Sequence, residues 1–246
     1  MKYLRLFEDF DSYDPYELMI IPPNKKAEMI VREIKKSEPN LNLVSDLIVL
    51  GANVNWQDED NNGLTPLHLA VDYGQVKVAR MLIDAGANVN VQDNAEQSAL
   101  YVSVWGNNIE IPKLLISVGA DVNAQTIVGF TPLHYVAGDG NEEIARVLID
   151  AGADINIQDK FGTVPLHVAV EFNRPEIVHM LIDAGANLNV QDEDGNTPLH
   201  IGAKNWREEI TDILIDAGAD VNILNNAGKH WDELVYDDED YDDDEE

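Results

Sequence analysis

The chain has 246 residues, 45 % of them apolar, and carries 46 acidic side chains against 16 basic ones, a formal net charge of −30. It contains no cysteine, which excludes disulfides and thiolate metal sites. Its deficit of Lys and Arg argues against binding nucleic-acid phosphates or an anionic membrane.

The opening MKYLRLFEDFDSYD lacks the basic start, apolar stretch and small-residue cleavage site of a secretory leader. No run approaches the roughly 18 apolar residues of a membrane span. The expectation is a cytoplasmic protein, with secretion as an effector left open. Tyr3, Leu4, Phe7 and Phe10 fall at near-helical spacing. Residues 1–24 read as a segment either flexible or packed on the capping unit after it, set apart by Asp14-Pro15 and Pro22-Pro23. Residues 25–59 read as that capping unit, with one helix predicted near 25–36 and another near 41–50, leading into the string GANVN at Gly51.

From there the sequence repeats. Gly86, Gly119, Gly152, Gly185 and Gly218 recur every 33 residues, and each opens a Gly-Ala-(Asp/Asn)-aliphatic-Asn string. TPLH stands at 65–68, 131–134 and 197–200 in the same period; SALY at 98–101 and VPLH at 164–167 fill the gaps. Thr before Pro is a helix N-cap followed by the one residue that needs no partner at the first helical position. Leu67, Ala70 and Val71 then predict a short apolar helix closed by Gly74. Val78, Met81 and Leu82, at i, i+3, i+4 spacing, predict a second. Gly86 suits the left-handed residue that ends a helix, and Asn88 and Asn90 suit a turn.

The repeating region holds five full units: 60–92, 93–125, 126–158, 159–191 and 192–224. The second is degenerate, having lost Pro and His. Residues 225–236 read as a partial C-terminal cap with His230-Trp231 in place of Thr-Pro, and residues 237–246 as an acidic, disordered and solvated tail. Two extra residues near 59–62 predict a longer first loop. Val164 replaces a capping Thr, a loss of about 1 kcal/mol. Trp206 stands where the first unit has Gly74.

The period, TPLH and GADVN together resemble the ankyrin repeat, over about residues 40–235. The resemblance implies an all-α solenoid of stacked helix-turn-helix units joined by short hairpin loops. It also implies a concave groove, lined by first helices and hairpin tips, that binds other proteins. The histidines of TPLH are structural in that family. One per layer, with layers about 10 Å apart, they are too distant to share a zinc at about 2 Å bonds. No nucleophile–base pair, phosphate loop or zinc-binding helix motif is present, so no enzyme, cofactor or metal is expected.

The positions that vary within this family are the hairpin tips and the ends of the first helices. Here they single out Tyr73, Trp105, Ile127, Val128, Phe130, Lys160, Phe161 and Phe172 as partner-binding residues. The large apolar ones among them in the middle units, Trp105, Ile127, Val128, Phe130, Phe161 and Phe172, are expected to be exposed inside a polar rim. The function expected is a monomeric interaction scaffold for a basic protein or peptide, without nucleic acid or membrane. The alternative is a regulatory or inhibitory protein, viral or host-directed, that blocks a partner's surface. An enzyme or metal protein is the weaker third reading.

Overall fold

The computed structural model describes residues 15–236. The near-helical aromatics of the first 14 residues and the acidic tail from 237 onward lie outside the described residues. Within them are thirteen α-helices, a closing 3₁₀ helix and no strand beyond two isolated bridges. The chain divides into two compact units, one up to Ala120 and one from Asp121.

The first unit holds α1 (Pro15–Met19), α2 (Pro23–Ile34), α3 (Leu41–Val49), α4 (Pro66–Asp72), α5 (Val76–Asp84), α6 (Ala99–Ser103) and α7 (Glu110–Ser117). First helices α2, α4 and α6 pack in one file, and second helices α3, α5 and α7 in another. Leu18 and Ile21 are buried, so the segment around α1 is anchored, while Tyr16, Met19 and Ile20 stay exposed. Helix α2 carries a buried lysine, Lys26, whose Nζ donates to Leu50 O at 2.6 Å. The ammonium thus caps the negative end of α3.

The second unit holds α8 (Pro132–Asp139), α9 (Glu142–Asp150), α10 (Pro165–Glu171), α11 (Pro175–Asp183), α12 (Pro198–Lys204) and α13 (Glu208–Asp216), and ends in the 3₁₀ helix Trp231–Tyr236. Here α8, α10 and α12 form one file and α9, α11 and α13 the other. The 3₁₀ helix packs on α12.

Local chemistry explains the helix ends. Thr65 and Thr131 accept from the backbone N–H of His68 and His134 at 3.3 and 3.4 Å. Ser98 does the same for Tyr101 at 3.2 Å. Helix α6 nonetheless runs only five residues: it has no Pro to preset its first turn, and Gly106-Asn107-Asn108 are poor helix formers. Gly86 closes α5 at φ 89°, where any Cβ would be strained. The two extra residues of the first junction sit in the tip. The bond from Asp58 N to Leu64 O encloses five residues, where the one from Asp93 N to Gln97 O encloses three.

Two ladders join successive repeats inside each unit. In the first unit the Asn55 side chain accepts from Asn88 N at 2.7 Å and donates to Gly86 O at 3.2 Å. In the second, Asn123, Asn156 and Asn189 accept from the N–H of Asp154, Asn187 and Asp220 at 2.7–2.8 Å. The last Asn of the Gly-Ala string therefore makes an inter-repeat bond at Asn55, Asn90, Asn123, Asn156 and Asn189. Glutamines in the tips form the second ladder. Gln57 Nε2 donates to Gln92 O at 3.2 Å in the first unit. In the second, Gln125 Nε2 donates to Gln158 O and Gln191 Nε2 to Leu224 O, both at 3.1 Å.

Candidate functional site

The TPLH histidines belong to the framework. His68 Nδ1 accepts from Thr65 N at 3.2 Å, which places the ring proton on Nε2, and Nε2 lies 3.1 Å from Gln97 O of the next tip. His134 and His167 reach Thr163 O and Asn196 O at 3.1 Å in the same way, and His200 reaches Lys229 O at 3.3 Å. Burial holds all four below the usual imidazole pKa, against the opposing pull of these carbonyls and of nearby carboxylates. Neutral rings with both nitrogens engaged are cross-braces between repeats. Among the described residues no three His, Asp or Glu side chains converge as metal ligands.

The tips are stitched by backbone bonds. Lys160 N donates to Val128 O at 3.1 Å and Glu193 N to Phe161 O at 2.8 Å. This brings Ile127, Val128, Lys160 and Phe161 onto neighbouring turns. Gly129 (φ 89°) permits the approach, since a Cβ there would lie 2.8 Å from the Asp159 Cα. Phe172 follows α10 and its ring lies over Gly138, 3.4 Å from where a Cβ would stand, so the missing side chain on α8 makes room for it.

Tyr73, Trp105, Ile127, Val128, Phe161 and Phe172 are between 43 % and 55 % exposed, and Lys160 is exposed. These large apolar groups stand outside the core. Phe130 departs from the expectation of an exposed ring: it is half-buried and stacks on His134, with centroids 5.1 Å apart and planes 20° apart. In the same tip the Phe130 N–H donates to Thr126 Oγ1 at 3.2 Å. Tyr73 and Trp105 belong to the first unit and the other six residues to the second. Trp105 meets Tyr101 edge-on, centroids 6.0 Å apart at 84°.

Sequence reasoning missed two features. Trp206 is 54 % exposed; its place in a glycine position was legible, its exposure was not. Asp72 and Asp93 line one cleft with Trp105. Both are acidic like much of the chain, so no pattern in the sequence distinguished them.

Helix pairs stacked at a fixed period, cross-braced by a histidine in four of the five full repeats and leaving aromatic groups on tips and helix ends, define a helical repeat protein. The family model described as ankyrin repeats (3 copies) matches residues 34–126 and again residues 133–225. The chain belongs to the ankyrin-repeat family, whose repeats are generally protein–protein interaction modules and typically non-enzymatic. A search of curated proteins finds no match. Among the described residues no helix is long and apolar enough to cross a membrane.

Proposed function

We propose that this chain acts as a monomeric interaction scaffold that grips a basic, partly apolar peptide or protein surface. The observation that carries this reading is the set Ile127, Val128, Phe161 and Phe172, exposed on neighbouring tips and a helix end of the second unit. Residues 121–236 around them carry 20 acids against 6 bases. Apolar anchors inside a polar rim concentrate binding energy, and the surrounding carboxylates favour basic partners and speed encounter.

The test is affinity capture from matched lysate at about 50 and 300 mM salt, a span over which the Debye length roughly halves. The baits are the intact chain, the Phe161→Ala/Phe172→Ala variant and Asp194→Ala. The aromatic pair is expected to weaken a specific partner by about thirtyfold, a hot-spot loss of about 2 kcal/mol, and Asp194→Ala to change it little. Equal loss in both variants would sink the anchor map. Loss only at high salt would shift recognition to charge. A further bait cut after Tyr236 reads the contribution of the acidic residues beyond it.

A further inference from the structure

We propose that a cleft in the first unit receives the guanidinium side chain of an arginine on the protein partner. It lies between the first two full repeats, measures about 200 Å³, and is lined by Leu69, Asp72, Asp93, Gln97, Val102 and Trp105 among others. This is below the roughly 300 Å³ at which cofactor and small-molecule sites begin, and suits one long side chain.

Its lining selects the occupant. Leu69 and Val102 are buried apolar groups that can cover the methylene stem of a long base. The Trp105 ring, 43 % exposed and edge-on to Tyr101, lines the same cleft, and an indole is the aromatic group that attracts a cation most strongly. Asp72 is exposed and has no hydrogen bond or ion pair among the described residues. It stands in the last turn of α4, where a negative charge opposes the helix dipole, so its place there does not serve the helix. Asp93 is only 6 % exposed. Its Oδ1 accepts from Ala95 N and Gln97 N at 2.8 Å, and Oδ2 holds a longer 3.3 Å bond from Asn62 Nδ2.

Two carboxylates beside an indole repel anions and leave a neutral guest without compensation for their desolvation. A guanidinium, planar, weakly hydrated and able to meet both ring and carboxylate, fits better than a strongly hydrated ammonium. The combination is local to this step. At the register of Asp72 the second unit has Gly138, Glu171 and Lys204.

The inference rests on the reading of the chain as a protein-binding module, but its test needs no partner. N-acetyl-arginine amide is titrated into the intact ¹⁵N-labelled chain. The indole N–H of Trp105, assigned with Trp105→Phe, is followed by NMR. A saturable shift with a Kd on the order of millimolar is expected. N-acetyl-lysine amide should bind several-fold more weakly, and the uncharged citrulline analogue should give no saturable shift. Asp72→Asn should weaken arginine by about two- to fivefold, the scale of one exposed ion-pair contact, while Asp194→Asn leaves it unchanged. No saturable shift, an equal response to citrulline, or wild-type affinity in Asp72→Asn would overturn the proposal. If capture still depends on Phe161 and Phe172 while the shift is absent, the cleft fails and the interaction module stands. The reverse pattern keeps the cleft and removes the aromatic anchors.

Discussion

Trp206 adopts φ 56° at a place where Gly74 has 65°, Gly140 89° and Asn173 55°. A bulky side chain in the left-handed region costs about 1–2 kcal/mol, and the rest of the repeat must hold it there. Trp206→Gly relieves this strain but adds freedom to the unfolded chain. The net expectation is a gain of about 0.5–1 kcal/mol, read from the urea midpoint. An unchanged or lower midpoint would mean that contacts of the half-exposed ring outweigh the strain.

At the scale of the helix, caps and braces substitute for one another. Asn141 caps α9, its Oδ1 accepting from Ile144 N at 3.1 Å. The second helices that begin after Gln75, Arg174 and Arg207 have no such cap. Those three side chains instead reach back to the preceding repeat. Gln75 donates to Lys36 O at 2.9 Å, Arg174 Nε to Gly138 O at 2.8 Å, and Arg207 Nη2 to Glu171 O at 3.1 Å. Each gives up a local bond for one that ties repeats together and satisfies an orphan carbonyl at a first-helix end. Among the helices with TPLH-like starts, α10 and α12 lack the side-chain cap bond, and α10 alone has no hydroxyl at that position. Val164 has no acceptor to offer, yet its own N–H still meets His167 Nδ1 at 3.2 Å. The brace therefore survives without the cap. Val164→Thr should restore the missing bond and stabilise the protein by about 1 kcal/mol. Hydrogen exchange in the first turn of α10 should slow accordingly, and unchanged exchange would show the cap to be redundant there.

Across the whole molecule the four braces respond to pH in the same direction. Each histidine is held neutral in the fold with its pKa lowered by burial, so the unfolded chain binds the proton more readily. Their contribution to stability is complete above the unfolded value of about 6.5. It declines as pH falls from there toward the lower folded values. The urea midpoint should be flat from about pH 8 to 7 and fall between about 6.5 and 5.5. A midpoint that rises over the same interval would mean that charge repulsion, not the histidines, governs the pH response.

The repeat architecture was legible in the bare chain because each repeat announces its own ends: a hydroxyl, a Pro or both at one, a Gly that tolerates positive φ at the other. Those are local requirements, and local requirements are written in adjacent residues. Most of the exposed aromatics were legible too, since positions spared from the core recur at a constant register. Everything that depends on the neighbouring repeat emerged only on folding. The Asn and Gln ladders, the tip-to-tip backbone bonds and the return of Gln75, Arg174 and Arg207 to earlier carbonyls join residues 31 to 39 positions apart. Phe130 is half-buried against His134, a ring contact between a tip and the helix that follows it. Asp72 and Asp93 share a cleft because stacking brings one repeat's helix end against the next repeat's tip, a distance that no pattern within a single repeat encodes.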